Sequence, residues 1–466
     1  MHQNNKVTNN KKIDLKNSSN NNNNRNKKSN SNKSNKITEN HRLIIVSLDA
    51  VGQRDLAFLK TLPNFKKIYE KSAVCENVES VYPSITYPAH TSIITGKKPI
   101  HHGVINNTLI QPKRPKPDWM WQRKYVKGTT LYDEAIKKGY RVAALLWPVT
   151  AKSKIHYNLP EVLANRPWQN QIIVSALNGT VSYEFALLKK FGHLRDGVRQ
   201  PALDNFVHES ALYTIRKYNP DMMLIHYTDV DTNRHIYGVN HKKVTEALKR
   251  HDDRLGDILE ALEETGDMEE TTFVVLGDHY QMDVERVVYL NCMLRENGFL
   301  HTKEGKITDY QFLAKNCDGS CYIYANKEKQ PDKEAYKKLT TLLEKCKADK
   351  VYGIEKIFTG KDAGELGADD SCVFFIEASK GVYFLDEFEY LSLSVNDIKK
   401  GKMRGTHGYL PQKEGYQTFF MASGYGIKEG VSIPKMYLWD EGVTLSKLLQ
   451  VDLGEVDGRV IEEMLQ

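Results

Sequence analysis

The sequence predicts an α/β protein in which a mainly parallel β-sheet lies between helical layers and a smaller α+β subdomain is inserted late in the chain. Three observations lead there. Short apolar runs of strand length recur, helix-length segments separate them, and acidic residues stand directly after several of the runs. Apolar strands alternating with helices imply a sheet covered on both faces.

The first 40 residues stand apart from this pattern. They hold nine Lys or Arg against Asp14 and Glu39, and they include the run Asn20 to Asn24. That leaves fifty-seven basic and fifty-seven acidic residues in the remainder, so the tail accounts for the whole formal charge of +7. With few apolar residues to offset ordering entropy, 1–40 reads as a disordered Asn/Lys-rich tail. Nucleic-acid binding is therefore not expected of the folded part. At 466 residues, 40% hydrophobic and 27% charged, the chain is long enough for a large core and fits neither a membrane nor a fibrous class. No secretory signal or run of membrane-spanning length is seen, which predicts a cytoplasmic protein. The six cysteines lack regular spacing and read as reduced thiols, the close pair Cys317 and Cys321 included.

Folding is expected to begin near His41, where Leu43 to Leu48 form the first strand and Asp49 ends it. Further strands are expected at Arg141 to Trp147, Met222 to Tyr227, Thr271 to Leu276 and Tyr416 to Ala422, with a helix over Thr245 to Glu264. This gives a catalytic core in two parts, 41–282 and 403–466. Between them, 283–402 carries Lys-rich helical stretches such as Asp332 to Lys347 and short strands near Cys321 to Tyr324 and Val373 to Ile376, as a cap-like insertion would. A late amphipathic helix is expected over Gly442 to Gln450.

Asp49, Asp229 and Asp231, and the pair Asp278-His279 all follow strands. Open α/β sheets place their sites beyond the carboxyl ends of the strands, so one crevice could collect them. Any one of them alone could merely cap a helix or make a turn. The segment Tyr82 to Gly96 reads as a turn entering a helix, with Pro88 near its first position, Gly96 closing it and Thr86 just before it. An anion is favoured there, and a divalent metal would supply the deprotonation that a threonine hydroxyl lacks at neutral pH. Taken alone, Thr86 reads as a simple helix cap. Asp231 and His235, four apart, share one helical face, and Gly405-Thr406-His407-Gly408 offers a histidine in a loop. Oxygen and nitrogen ligands without thiolate suit zinc or manganese.

At these residues the sequence resembles the nucleotide pyrophosphatase/phosphodiesterase branch (type I phosphodiesterases) of the alkaline phosphatase superfamily. The matching pieces are the Asp49 strand, Thr86-Tyr87-Pro88-x-His90 followed by Thr95-Gly96, His102 to Asn107, Asp231-x-x-x-His235 followed by Tyr237-Gly238, Asp278-His279, and Gly405-x-His407-Gly408. Their order covers residues 43 to about 460. The resemblance implies an alkaline-phosphatase-like core and a two-metal-dependent hydrolase of phosphodiester or phosphoanhydride bonds, acting on a small phosphorylated substrate such as a nucleotide. It implies Asp49, Thr86, Asp278 and His279 at one metal ion, and Asp231, His235 and His407 at the other, with Zn²⁺ as the first expectation and Mn²⁺ the second. Asn107 would donate to a non-bridging phosphoryl oxygen, and Tyr87 would line the pocket for a base or other leaving group. The implied reaction runs through attack by Thr86, a phosphothreonine, and its hydrolysis by water activated at the second metal.

Two departures stand out. Arg234 precedes His235 where the family carries a Gly-His pair, and Tyr280-Gln281 replace the glycine of its Asp-His-Gly-Met. They leave the expected ligands intact and are read as bearing on the substrate. Competing readings are a phosphonoacetate hydrolase-like or phosphomonoesterase-like member of the same superfamily, and a pseudoenzyme whose basic tail binds a polyanion. A sulfatase lacks support because no Cys-x-Pro-x-Arg occurs. Gly424-Tyr425-Gly426 followed by Gly430 is not a dinucleotide loop, since no helix is expected after it. His101 and His102 read as solvated or structural. Trp119, Trp121 and Tyr125 amid basic residues read either as a substrate-facing loop or as ordinary surface.

Overall fold

The computed structural model describes residues 41–114, 116–398 and 403–466. The expected tail over 1–40 and the end of the expected insertion fall outside those residues. The central sheet has eight strands: β1 (Arg42–Leu48), β2 (Ser72–Glu79), β3 (Val142–Leu145), β4 (Tyr157–Leu159), β5 (Met222–Tyr227), β6 (Thr271–Leu276), β7 (Thr418–Gly424) and β8 (Met436–Tyr437). Their order is β8-β2-β7-β6-β1-β5-β3-β4. β1 pairs in parallel with both β5 and β6, while β7 runs antiparallel to β6 and β2. The reversed strand is the one that closes the core after the long excursion from β6.

Strand alternation explains the layering. Ile44, Val46 and Leu48 of β1, Met223 and Ile225 of β5 and Phe273 and Val275 of β6 face one side. There they meet Phe65 of α1 (Pro63–Glu70), Phe206 of α4 (Ala202–Tyr218) and Leu255 of α6 (Lys242–Thr265). Leu43, Ile45, Leu224 and Val274 face the other side, against Ile93 of α2 (Thr86–Thr95), Ala135 of α3 (Leu131–Lys137) and Leu445 of α7 (Leu438–Leu449). α5 (Asp229–Tyr237) follows β5 directly. Strands buried on both faces are apolar at nearly every position, and each such apolar side chain contributes roughly 1.5–3 kcal/mol.

Between β6 and β7 the chain builds a second, four-stranded antiparallel sheet, in the order Phe312–Asn316, Ser320–Ala325, Phe374–Ala378, Ile354–Thr359. One face packs Ile323 and Ile376 against Leu339 and Leu343 of helix Lys333–Ala348. The opposite face presents Tyr322 and Phe375 to Tyr82 and Ile85, in the turn that leads into α2. The Tyr82 and Phe375 rings lie 4.5 Å apart, and the Tyr82 hydroxyl donates to Glu377 at 2.7 Å. A third sheet forms around Met282–Val288, whose first residues pair with Gly405–Thr406 and so bring His407 beside the end of β6. The later sheets thus brace Thr86 and deliver His407.

Candidate active site

Register aligns the carboxyl ends of three neighbouring strands, with Leu48 opposite Tyr227 and Ser47 opposite Leu276. Asp49, Asp231 and Asp278-His279 therefore leave the sheet at one level. Gly277 permits the approach of β6 to the loop after β1, since a Cβ there would lie 2.0 Å from the Val51 carbonyl oxygen. Thr86 is the first residue of α2, with Ile85 as the cap residue and Pro88 two positions further in, one step from the expected boundary. Gly96 closes that helix at φ 66°, a left-handed turn suited to glycine.

The side chains converge. Thr86 Oγ1 lies 3.2 Å from His279 Nε2, which is 3.2 Å from Asp278 Oδ2 and 3.5 Å from Asp49 Oδ1. His235 Nε2 stands 3.3 Å from Asp231 Oδ1, and His407 Nε2 3.9 Å from the same oxygen. His235 Nδ1 donates to the Gly405 carbonyl at 2.9 Å, which turns Nε2 inward. Among the described residues, Asp231, His235 and His407 each offer one atom within 4.8 Å of the others, and so do Asp49, Asp231 and His279. Asp231 thus belongs to both groups, whereas the family resemblance implies it at one metal alone.

The donor chemistry fits divalent cations. Asp49 Oδ1 and Asp278 Oδ2 are buried without hydrogen-bond partners. Their ion-pair neighbours among the described residues are histidines: His226 and His279 for Asp49, His90 and His279 for Asp278. Burial, then the charges of Asp231 and Asp278, pushes the Asp49 carboxyl well above its ordinary range. Burial likewise pushes Asp278 up to about 7, although His226 and the backbone N–H groups of Ala50 and His279 oppose it. Burial and the nearby His407 hold His279 neutral, well below the usual imidazole value. For Asp231, burial is outweighed by the charge of His235, so its carboxyl stays ionised and raises His235 to about 9 against that residue's own burial. The buried oxygens of Asp49 and Asp278 thus stand beside a neutral His279 with no hydrogen-bond donor of their own, and a metal ion would supply the missing positive charge.

A cavity of about 350 Å³ opens in front of these groups, lined by Thr86, Tyr87, Asn107, Trp119, Arg195 and Phe206 among others. The Tyr87 N–H donates to Asn107 Oδ1 at 2.9 Å, which leaves the Asn107 amide nitrogen as its donor. Trp119 packs edge-on to Tyr87 at 5.3 Å and lines the cavity, while Trp121 and Tyr125 belong to the same hydrophobic cluster without lining it. His101 pairs with Asp457 at 2.8 Å and His102 with the Ser92 hydroxyl at 2.9 Å, away from the ligands. All six cysteines are free and buried.

Sequence reasoning misses several partners. His226 bridges Asp49 Oδ2 (3.1 Å) and Glu161 Oε2 (3.4 Å). Asp318 stands 3.3 Å from His407 Nδ1, and His90 Nδ1 donates to the Thr86 carbonyl at 2.9 Å. Of these, His90 stands in the sequence motif that begins at Thr86, though without a role there, and the one signal for His226 is a histidine inside the apolar run of β5. The two departures from the family pattern prove to be neighbours. The Arg234 guanidinium lies 4.5 Å from the Tyr280 ring centre and pairs with Asp55 at 2.5 Å, and the Gln281 amide donates to Asp231.

A threonine at a helix N-terminus, faced by carboxylates and imidazoles from the ends of adjacent parallel strands, belongs to the alkaline-phosphatase-like class of α/β folds. Within that class the comparisons are specific. Residues 43–410 match the model of the type I phosphodiesterase / nucleotide pyrophosphatase family, and the chain belongs to that family. It is 25% identical over 237 residues to ectonucleotide pyrophosphatase/phosphodiesterase family member 1 of Homo sapiens, covering 49% of this chain and 22% of that protein. It is 23% identical over 407 residues to venom phosphodiesterase 2 of Crotalus adamanteus, covering 84% of this chain and 43% of the relative. The chain thus spans less than half the length of these relatives. Murine ectonucleotide pyrophosphatase/phosphodiesterase 5 superposes with a TM-score of 0.64 at 16% identity, over 91% of this chain and 100% of that one, and so does its inactive threonine-to-alanine variant in complex with AMP.

Proposed function

We propose that this protein hydrolyses phosphodiester or phosphoanhydride bonds in small phosphorylated molecules such as nucleotides, using two divalent metal ions, Zn²⁺ before Mn²⁺, and Thr86 as the nucleophile. One observation carries the reading: Asp49, Asp231, His235 and His407 line a cavity together with Thr86, and His279, paired with Asp278, stands 3.2 Å from the Thr86 hydroxyl. When bound, the two ions would lower the pKa of the Thr86 hydroxyl and offset charge on the phosphoryl oxygens. Asp49, Thr86, Asp278 and His279 would hold one, and Asp231, His235 and His407 the other.

The chain's own groups do the rest. Thr86 Oγ1 forms a bond to phosphorus as the leaving oxygen departs on the opposite side, giving a phosphothreonine. Water then attacks the same phosphorus, releases the second product and restores Thr86. The Asn107 amide nitrogen donates to a non-bridging oxygen, and the N-terminus of α2 adds its dipole. Tyr87 and Trp119 form an aromatic wall for the leaving group or base. A cavity of about 350 Å³ is more than a lone phosphate fills, which favours a diester over a phosphomonoester or phosphonoacetate. The murine relative that binds AMP supports a nucleotide as one such substrate. Six buried free thiols suit the reducing cytoplasm.

The test compares bis-p-nitrophenyl phosphate and a nucleotide p-nitrophenyl ester with p-nitrophenyl phosphate, with Zn²⁺ added and after chelation. Diester turnover that needs metal and is abolished in Thr86→Ala at nearly unchanged metal content is expected. Turnover surviving in Thr86→Ala would remove the nucleophile, and a monoester preference would redirect the substrate.

A further inference from the structure

We propose that a face beside the cavity mouth, formed by Trp168, helix Gln171–Asn178 and helix Val181–Phe191, docks the protein on a lipid surface bearing anionic headgroups. This rests on the surface itself and not on the catalytic reading.

Trp168 is 80% exposed, Ile173 58%, Leu177 60% and Phe185 63%, with Ile172 and Val181 also exposed between them. Large apolar side chains scattered singly over a surface are ordinary; six within eighteen residues form a patch. The helices are amphipathic in the required sense. Ile173 and Leu177 lie four residues apart on one helix face, and Val181, Phe185 and Lys189 continue at the same spacing on the next. Ser175 on the first helix and Tyr183 and Leu187 on the second occupy the opposite, buried sides. Each helix is thus held by its buried side and leaves an apolar stripe with nothing from the described residues over it.

The charge around the patch selects the occupant. From Leu163 to Arg195 the one acidic residue is Glu184, and it is buried. The rim is cationic: the Lys152 ammonium binds the Leu177 carbonyl, Lys189 ends the second stripe, and Arg114 and Arg166 share the single carboxylate of Asp118. Tryptophan and aliphatic side chains flanked by Lys152, Arg166 and Lys189 match an interface where acyl chains meet anionic headgroups. Residues 1–40 fit poorly as a cover, because they share the positive sign and carry few apolar side chains. A second copy meeting this face across a twofold would set cationic rims against each other. Leu163, Gln171 and Ser175 of the same segments line the cavity, so docking here would bring the cavity mouth to the lipid.

Flotation of the full chain with phosphatidylcholine vesicles, with and without phosphatidylserine, tests this. Wild type should float with the anionic vesicles. The variant Trp168→Ser/Ile173→Ser/Phe185→Ser should bind them at least about tenfold more weakly, with an unchanged circular dichroism spectrum and unchanged hydrolysis of a soluble p-nitrophenyl ester. Lys152→Glu/Lys189→Glu, which leaves the apolar stripe intact, should weaken binding to the anionic vesicles by a similar factor. The proposal falls if wild type does not float, or if the triple variant floats as wild type does. It also falls if deleting residues 1–40 abolishes flotation while the patch is intact, or if wild type is a dimer in solution that fails to float and that the triple variant splits.

Discussion

Replacing Arg234 by Met removes a guanidinium that is 1% exposed, donates to the Ala50 carbonyl and pairs with Asp55 at 2.5 Å. Met keeps the length and the apolar stem, so what is lost is charge and hydrogen bonding. Asp55, itself buried, keeps the Gly52 N–H at 2.9 Å as a donor. Stranding one member of a buried ion pair costs about 3–5 kcal/mol. The Ala50 carbonyl loses its charged donor as well, on the order of 1–3 kcal/mol. These costs overlap because both groups relax together, so a total loss of about 4 kcal/mol is expected. Ala50 sits at φ 60°, left-handed for a residue with a side chain, and its N–H donates to Asp278 Oδ1 at 3.1 Å. Metal affinity should therefore fall along with stability. Urea denaturation after chelation measures the first without contamination by metal linkage, and zinc titration measures the second. Asp55→Asn added to Arg234→Met removes the stranded charge and should restore about 2 kcal/mol, read as a coupling free energy. A loss below about 1 kcal/mol in the single variant, or no recovery in the double, would refute the idea that this pair supports the metal loop.

Three further outcomes follow from the same geometry. Asn107→Ala should lower kcat by roughly 10²–10³ with metal content unchanged, since it removes a donor to charge that develops during reaction; an unchanged kcat would exclude that role. Asp231→Asn should deplete both metal positions in elemental analysis, because Asp231 lies in both ligand groups, and retention of two ions would contradict the shared placement. Glu184 is 1% exposed, with one carboxyl oxygen lacking a partner, and burial raises its pKa to about 7 despite Ser175 and Arg195. The folded state then holds a proton that the unfolded chain releases near 4.5, so Glu184's contribution to stability is full below that pH and is lost as pH rises through about 7. Glu184→Gln should flatten this part of the pH dependence of the urea midpoint and gain on wild type at pH 8; a parallel shift at all pH values would argue against it.

The core strands are legible because β1, β5 and β6 are apolar at nearly every position and are followed by acids. Boundaries are less so. Tyr416 extends the apolar run before β7, yet its N–H turns back to the Lys413 carbonyl at 3.1 Å and the strand begins at Thr418. The late helix starts at Leu438 and not near Gly442, because the Asp440 carboxylate caps the Tyr437 N–H at 2.9 Å, a contact that composition does not announce. Within the site, Asp231 and His235 share a helix, so spacing alone unites them. His226 reaches Asp49 only through the register of β1 and β5, which places it opposite Ser47. Asp318 reaches His407 across a turn of the second sheet, and no periodicity ties those loops together. What the sequence hides is contact between distant segments.

The departures from the family pattern illustrate the point. Arg234 and Tyr280 are 46 residues apart, yet they touch, and Gly52 makes room for the ring, since a Cβ there would lie 2.5 Å from Tyr280 Cδ2. The two changes are therefore one change, closed by Asp55 beneath and by Gln281 on Asp231. None of Arg234, Tyr280 and Gln281 lines the cavity. Read from sequence they bear on the substrate; in the structure they lie behind the ligands, where they can alter how Asp231 and the loop at Ala50 are held but cannot touch a leaving group. Under the proposed function, selectivity among phosphodiesters would then rest on the walls that do face the cavity, Tyr87, Trp119, Arg195 and Phe206. Substitutions at 234 and 280 should change metal affinity and leave the ranking of substrates as it is.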